Sequence, residues 1–169
     1  MTVSLRQWKD SDLAPFTALN ADREVMRYFP SPLTREQSDF FVLRQRELIE
    51  RQGWGLWVVD VDGAFAGFTG LAVPTFAAAF TPCVEIGWRL AREYWGRGIA
   101  HEAAKQALHH AFAELHLSEV VSFTARVNDR SRRLMERLGM VRDLQADFLH
   151  PRIPEGHELA EHVLYRMNP

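Results

Sequence analysis

Two glycines lie one residue apart where a predicted strand gives way to a predicted helix. Residues 83–91 are predicted as a strand, and from Gly96 to about Leu115 apolar residues recur on one helical face. A glycine in a helix costs about 1 kcal/mol relative to alanine, so Gly96 and Gly98 indicate that bare backbone is needed there. The first N–H groups of a helix lack partners and lie at the positive end of its dipole. The junction therefore predicts a site for an anion such as phosphate, with a tight turn as the alternative interpretation.

The glycine pair matches neither of the common nucleotide-binding motifs. The sequence has no Gly-Lys-Ser/Thr, which a P-loop requires, and His101 stands where the dinucleotide fingerprint needs a third glycine. A nucleotide-binding regulatory domain is therefore only an alternative, which binding measurements with ATP and NAD would test.

Size and charge restrict the classes of protein to which this chain can belong. With 169 residues it can bury a substantial core, and we expect a single domain over residues 1–169. The net charge of -2 provides no general attraction for nucleic acid, and no apolar run reaches membrane-spanning length. The single cysteine, Cys83, excludes an intramolecular disulfide and fits a reducing compartment. We therefore expect a cytoplasmic protein with no nucleic-acid or membrane partner.

Apolar periodicity and turn signals predict the element order β-α-α-β-β-β-α-β-α-β-β. Thr34 and Gln37 have the spacing of a capping box at the start of the second helix. Asp62-Gly63 predicts a hairpin turn. Residues 140–149 and 161–167 are predicted as two late strands. The order indicates a mixed α/β domain with a central sheet rather than a purely doubly wound one.

Two segments together resemble motifs of the GNAT acyltransferase superfamily. Residues 95–100, Trp-Gly-Arg-Gly-Ile-Ala, fit every position of its acetyl-CoA-binding motif Gln/Arg-x-x-Gly-x-Gly/Ala except the first, where Trp95 stands. Residues 128–140 resemble the family's Asn-x-x-Ser/Ala-x-x-Leu-x-x-x-x-Gly-Phe/Met segment. With residues 22–30 included, the sequence is most similar to the RimJ/RimL-type branch, whose members resemble ribosomal-protein N-terminal acetyltransferases.

The resemblance implies both a fold and an activity. The fold is a GNAT-like mixed central sheet of about seven strands flanked by about four helices and splayed between the two middle strands. The activity is transfer of an acetyl group from the cosubstrate acetyl-CoA to a primary amine, by direct attack on the thioester and without a metal. A peptide N-terminal α-amine suits this branch, and its pKa near ~7.8, against ~10.4 for lysine, makes deprotonation easier. Acetylation of a small amine or amino-acid derivative, and a non-catalytic CoA-binding module, are the alternatives.

The resemblance also assigns residues to the cosubstrate. Backbone N–H groups at the start of the helix would hold the pyrophosphate, the strand before it would bind the pantetheine, and a bulge at Gly87 would free an N–H for the thioester oxygen. Asn128 would bond the pantetheine or cap its helix, or do both. The cofactor-binding residues are expected to be Trp88, Arg89, Leu90, Gly96, Arg97, Gly98, Ile99, Ala100, His101, Asn128 and Ser131.

Two residues are candidates for proton transfer. Glu85 shares a strand face with Gly87 and Arg89, and it is either a general base or a solvent-facing carboxylate paired across the sheet. Many relatives have a tyrosine as the acid, but Met135 occupies that position here. Ser131 is therefore the candidate acid for the departing thiolate, and local hydrogen bonding in the helix is its alternative role.

Several further residues are expected near the acceptor or on the surface. His150 and His157 flank a late loop that borders the acceptor cleft in this family. Tyr28, Phe29 and residues 76–80 are expected to form cleft walls, to cover core, or to make a homodimer contact. A group of arginines is expected mostly to be a solvated helix face, with one or two reaching the CoA phosphates: Arg126, Arg130, Arg132, Arg133, Arg137 and Arg142.

Overall fold

The computed structural model describes residues 1–169 and contains eight strands and four α-helices. The strands are β1 (Val3–Arg6), β2 (Leu56–Val61), β3 (Ala64–Ala72), β4 (Glu85–Leu90), β5 (Val120–Ala125), β6 (Val141–Arg142), β7 (Phe148–Leu149) and β8 (Glu161–Met167). The helices are α1 (Leu13–Ala21), α2 (Arg35–Gln52), α3 (Ile99–His109) and α4 (Asp129–Arg137). These strands and helices confirm the predicted mixed α/β fold with about four helices.

All eight strands belong to one sheet, in the order β1-β2-β3-β4-β5-β8-β6, with β7 also paired to β8. The pairing is antiparallel except between β4 and β5, which are parallel. These two middle strands share one pair, Glu85 with Val121, and then separate. The predicted splaying between the middle strands is therefore confirmed.

The β3–β4 ladder is continuous from Ala72 opposite Glu85 to Gly67 opposite Leu90. Gly87 lies in register opposite Gly70, so β4 has no bulge against β3 at the expected position. The splaying arises because β5 leaves β4, while β4 keeps its pairing with β3.

The segment 140–149, predicted as one strand, forms two short strands instead. A turn separates β6 from β7, in which Asp143 accepts hydrogen bonds from the N–H groups of Gln145 and Ala146. Both β6 and β7 pair with β8, which explains why the sheet has eight strands rather than seven.

Local sequence signals correctly predicted the start of α2 and the β2–β3 hairpin. The Thr34 hydroxyl accepts from Gln37 N–H at 3.2 Å and the Gln37 side chain accepts from Thr34 N–H at 2.8 Å, so the capping box is confirmed. Asp62 and Gly63 have φ of 52° and 88°, as a tight hairpin turn requires. The long helix, predicted from Gly96 to about Leu115, is shorter at both ends: α3 begins at Ile99, after the left-handed Gly98, and ends at His109, where a π-helical segment, His110–Glu114, follows.

Helices cover both faces of the sheet. On one face, α1 and α2 pack over a core that includes Phe16, Val42 and Phe68. On the other, α3 and α4 pack over a core that includes Ile86 and Met135. None of the helices combines the length and the apolar composition needed to span a bilayer.

Candidate active site

A cleft of about 920 Å³ opens where β4 and β5 separate. Strand β4 lines it along its whole length, together with the middle of β5. The starts of α3 and α4 form one wall, and the segment between α1 and α2 forms the other. The lining includes most of the predicted residues: Glu85, Trp88, Arg89, Leu90, Gly96, Gly98, Ile99, Ala100, His101, Asn128 and Ser131.

One end of the cleft is a row of free backbone N–H groups at the start of α3. Gly96 and Gly98 have φ of 71° and 75°, in the left-handed region that favours glycine. A Cβ at either position would meet no protein atom within 4 Å, so both glycines leave open space. The N–H groups of residues 96–101 make no hydrogen bond within the protein. This backbone fits an anionic group such as the pyrophosphate of CoA.

Arginines of α4 contribute positive charge to this end of the cleft. Arg130, Arg133 and Arg137 all line it. The Arg130 guanidinium lies over the Trp95 ring, 3.7 Å from its centroid, and so bridges the starts of the two helices. All three residues are exposed, so they lie on a solvated helix face that also lines the cleft, and their contact with the CoA phosphates stays a prediction.

The side chain of Arg97 lies outside the cleft, although Arg97 is among the residues expected to bind the cosubstrate. Its guanidinium donates to Glu93 O at 3.5 Å and lies over the Tyr94 ring, 5.8 Å from the centroid. Because Gly96 and Gly98 turn the chain on either side of it, Arg97 directs its side chain away from the free N–H groups. Only its backbone N–H belongs to the predicted phosphate site.

Along β4, the backbone N–H and C=O groups of successive residues point alternately towards β3 and towards β5. Gly87 O accepts from Thr69 Oγ1 on β3 at 2.8 Å. Ile86 O accepts from Ser122 Oγ on β5 at 2.9 Å. Odd-numbered residues therefore direct their backbone groups to β3, and even-numbered residues direct theirs towards β5 or the gap.

This alternation changes the residues expected to meet the pantetheine. Arg89 pairs with Phe68 on β3, so its backbone is turned away from the gap. Trp88 and Leu90 direct their backbone groups into the gap, where Leu90 O already accepts from Trp95 Nε1 at 2.8 Å. The N–H groups of Trp88 and Leu90 therefore both face the gap, and the expected backbone contact from Arg89 is not supported.

Glu85 lies in the cleft at the point where β4 and β5 begin to separate. Its carboxyl is largely buried and has no hydrogen-bond or ion-pair partner in the protein, so the alternative of a cross-sheet ion pair is not observed. Burial raises the pKa of Glu85 to about 7. A carboxyl with such a pKa can exchange protons near neutral pH.

Ser131 lies on the opposite face of β4, beside the gap. Its Oγ accepts from Trp88 Nε1 at 3.3 Å and from Asn128 Nδ2 at 3.2 Å. Both lone pairs are thereby occupied, and the hydroxyl proton is free to be donated. Asn128 also accepts from Ser131 N–H at 3.3 Å and donates to Thr124 Oγ1 at 3.0 Å, so its capping role is confirmed.

The predicted acceptor-side residues divide into two groups. Tyr28 and Phe29 line the cleft, as expected of walls. His150 does not line it, but packs at 4.8 Å between ring centroids against Phe76. His157 is also outside the cleft and accepts from Leu159 N–H at 3.0 Å.

Sequence reasoning missed the side chain of Arg89. Its guanidinium lies at the cleft wall and donates to Asn20 Oδ1 on α1 at 2.7 Å. The alternation of the strand placed Arg89 on the same face as Glu85, but nothing in the pattern indicated burial of its charge.

The structure contains no group of three or more histidine, cysteine, aspartate or glutamate side chains arranged to hold a metal.

Comparison with known proteins identifies the family. Residues 2–141 match the acetyltransferase (GNAT) domain. The FsC-acetyl coenzyme A-N(2)-transacetylase of Aspergillus fumigatus is 33% identical over 129 residues, which are 72% of this chain and 55% of that protein. This chain thus spans little more than half the length of that relative.

Solved structures have the same fold. A GNAT-family acetyltransferase from Bacillus anthracis superposes with a TM-score of 0.78 at 25% identity, over 98% of this chain and 94% of the other. Spermidine N-acetyltransferase from Vibrio cholerae, in complex with CoA and spermine, superposes with a TM-score of 0.75 at 18% identity, over 98% and 95%. The splayed sheet and the free N–H groups at the start of α3 agree with the match over residues 2–141. The chain therefore belongs to the GNAT family of N-acetyltransferases.

Proposed function

We propose that this protein acetylates the α-amine of a peptide or amino-acid derivative, with acetyl-CoA as cosubstrate, and that residues 1–169 form one catalytic domain. The observation that carries the proposal is the placement of two groups in one cleft. Free N–H groups at the start of α3 fit the pyrophosphate, and an unpaired carboxyl, Glu85, lies on β4 where the strands separate. The proposal includes membership of the RimJ/RimL-type branch and a cytoplasmic location.

Four sets of groups in this chain would have separate roles. The N–H groups of residues 96–101 and the arginines of α4 would hold the phosphates. The N–H of Trp88 would donate to the thioester oxygen, where negative charge develops. Glu85 would take a proton from the acceptor ammonium, and Ser131 would give one to the departing sulfur.

The bound cosubstrate supplies an acetyl group already activated as a thioester. The acceptor ammonium first loses one proton to Glu85, which passes it to solvent. An N–C bond then forms as the C–S bond breaks, the nitrogen loses its second proton to Glu85, and the sulfur gains one from Ser131. Ser131 is reprotonated from solvent and Glu85 releases its second proton, so each ammonium acetylated releases one proton net. The two residues lie on opposite faces of β4, which would place the acceptor and the leaving thiolate on opposite sides of the sheet.

The pKa of Glu85 favours an α-amine over a lysine side chain as acceptor. With a pKa of about 7, Glu85 takes a proton from an α-ammonium of pKa ~7.8 at a cost of about 1 kcal/mol. For a lysine ammonium of pKa ~10.4 the same transfer costs about 5 kcal/mol. A carboxyl at this pKa is therefore a sufficient base for one amine and a weak base for the other.

Release of free thiol tests the proposed activity against its main alternative. The protein is mixed with acetyl-CoA and a pool of α-amine peptides, and CoA affinity is measured in parallel by calorimetry. We expect thiol release that depends on the peptides. Binding of CoA without release for any amine would identify a non-catalytic CoA-binding module, the alternative that the buried Met135 in place of a tyrosine suggests.

A further inference from the structure

Arg89 is a largely buried arginine without an anionic partner. Its Nη1 donates to Asn20 Oδ1 at 2.7 Å, while its Nε is fully buried and has no partner. Its guanidinium lies 4.4 Å from the centroid of the Phe29 ring and 5.2 Å from that of Phe68. Both rings line the cleft, so the guanidinium lies at the cleft wall.

The lack of an anionic partner contrasts with Arg6, a partly buried arginine of β1. Arg6 pairs with Asp12 at 2.8 Å and with Asp60 at 2.7 Å. Burial lowers the pKa of Arg89 to about 10, which still leaves it cationic at neutral pH. An uncompensated charge in such a place is costly, and an anion from outside the chain would remove that cost.

Two features place Arg89 within reach of a molecule at the reaction centre. Its Nη2 makes no hydrogen bond and, unlike Nε, is not fully buried. Gly87 lies between Glu85 and Arg89 on the same strand face, and a Cβ there would meet no atom within 4 Å. At roughly 3.3 Å per residue, Arg89 is about 7 Å along the strand from Gly87 and about 13 Å from Glu85, where the gap begins.

We propose that Arg89 binds a carboxylate on the acceptor, so that the substrate is a primary amine that also carries an acid group. This inference rests on the proposed acetylation in the same cleft. Arg89 would hold the acid while the amine lies near Gly87 and Glu85. The carboxylate can be that of a free amino acid or an acidic side chain at a peptide N-terminus. A polyamine would instead bring further positive charge towards Arg89.

Matched acids and amides test the inference in the wild-type protein. The panel pairs glycine, 4-aminobutyrate and 6-aminohexanoate with their amides, and peptides that begin with Asp or Glu with those that begin with Asn or Gln. Spermidine is included as a polycation. We expect at least one acid to exceed its amide about tenfold or more in kcat/KM. The preferred pair then distinguishes a free amino acid from an acidic peptide.

Two variants link that preference to Arg89. Arg89→Gln removes the charge and should bring the acid-to-amide ratio close to one. Asn20→Asp places a carboxylate beside Nη1 and should lower the same ratio while Arg89 stays in place. Arg92→Gln is the matched control, because Arg92 is exposed, pairs with Asp22 at 2.7 Å and lies outside the cleft. It should keep the wild-type ratio.

Binding provides a measurement that needs no turnover. CoA-saturated protein is titrated calorimetrically with the same acids and amides. Tighter binding of an acid, lost in Arg89→Gln or Asn20→Asp, supports the role of Arg89 even if no amine is acetylated, in which case only the proposed function fails. Equal binding of acids and amides, or faster acetylation of spermidine than of any acid, would overturn the inference.

Discussion

The acid–base behaviour of Glu85 depends on the burial of its carboxyl. Its pKa of about 7 lies well above the ordinary ~4.3 of glutamate. Because the folded protein binds the proton more tightly than the unfolded chain, this group makes folding less favourable as the pH rises from about 4 to 7. The carboxylate form of Glu85, which would act as the base, becomes populated over the upper part of the same pH range.

Replacement of Glu85 by glutamine should therefore affect acceptors according to their basicity. In Glu85→Gln we expect kcat/KM above pH 7 to fall about 10²-fold for a lysine-like amine and less for an α-amine. The loss should shrink below pH 7, where Glu85 is protonated in the wild type, and again at high pH, where free amine is abundant. Profiles of kcat/KM against pH for both amines are the measurement.

The control for that experiment is Glu102→Gln, which removes the same charge from an exposed position on α3 outside the cleft. Its profile should follow the wild type. A loss in Glu85→Gln that is equal for both amines and independent of pH would assign Glu85 a structural role.

Ser131 can be tested by removing and then restoring its hydroxyl. Ser131→Ala should lower kcat by about 10²-fold or less, since a thiolate leaves fairly well unaided and general acids contribute ~10²–10⁴. Trp88 Nε1 loses its partner in this variant, at a cost of about 1 kcal/mol of stability. Ser131→Thr should recover much of kcat. An unchanged kcat in Ser131→Ala would remove the residue from the mechanism.

At the scale of elements, the start of α3 is the feature that determines cosubstrate binding. Gly98→Ala introduces a Cβ that meets no protein atom but projects into the space expected to hold phosphate. We expect CoA affinity to fall about tenfold or more, with a stability loss of about 1–2 kcal/mol from the left-handed conformation. Calorimetry and thermal unfolding measure the two effects.

Gly53→Ala is the matched control for backbone strain. Gly53 ends α2 with φ of 84°, and a Cβ there also meets nothing within 4 Å. This variant should lose similar stability but retain CoA affinity. Equal CoA affinities for the two variants would contradict the assignment of the phosphates to the start of α3.

The elements that the sequence predicted well are those governed by local chemistry. The Thr34 capping box and the Asp62-Gly63 turn depend on residues within a few positions of one another. The division of residues 140–149 into β6 and β7 depends on contacts with β8, as does the pair between Asp143 and Arg166 at 2.9 Å. Periodicity over ten residues cannot detect such a distant partner.

At the scale of the whole molecule, the site is a product of topology. Periodicity indicated a mixed sheet, but the separation of β4 from β5 was expected only from resemblance to the family. The burial of the Arg89 charge was not predicted, because it depends on α1 and on Phe68 of a neighbouring strand. Residues contributed by distant elements therefore escaped prediction.

The most direct test of the account is the position of the acetyl group in the product. A peptide with both a free α-amine and an internal lysine is incubated with acetyl-CoA and the wild-type protein, and the modified nitrogen is located by tandem mass spectrometry. The account predicts acetylation of the α-amine, reduced in Glu85→Gln and in Gly98→Ala. Acetylation of the lysine alone, or α-acetylation that both variants leave unchanged, would contradict it.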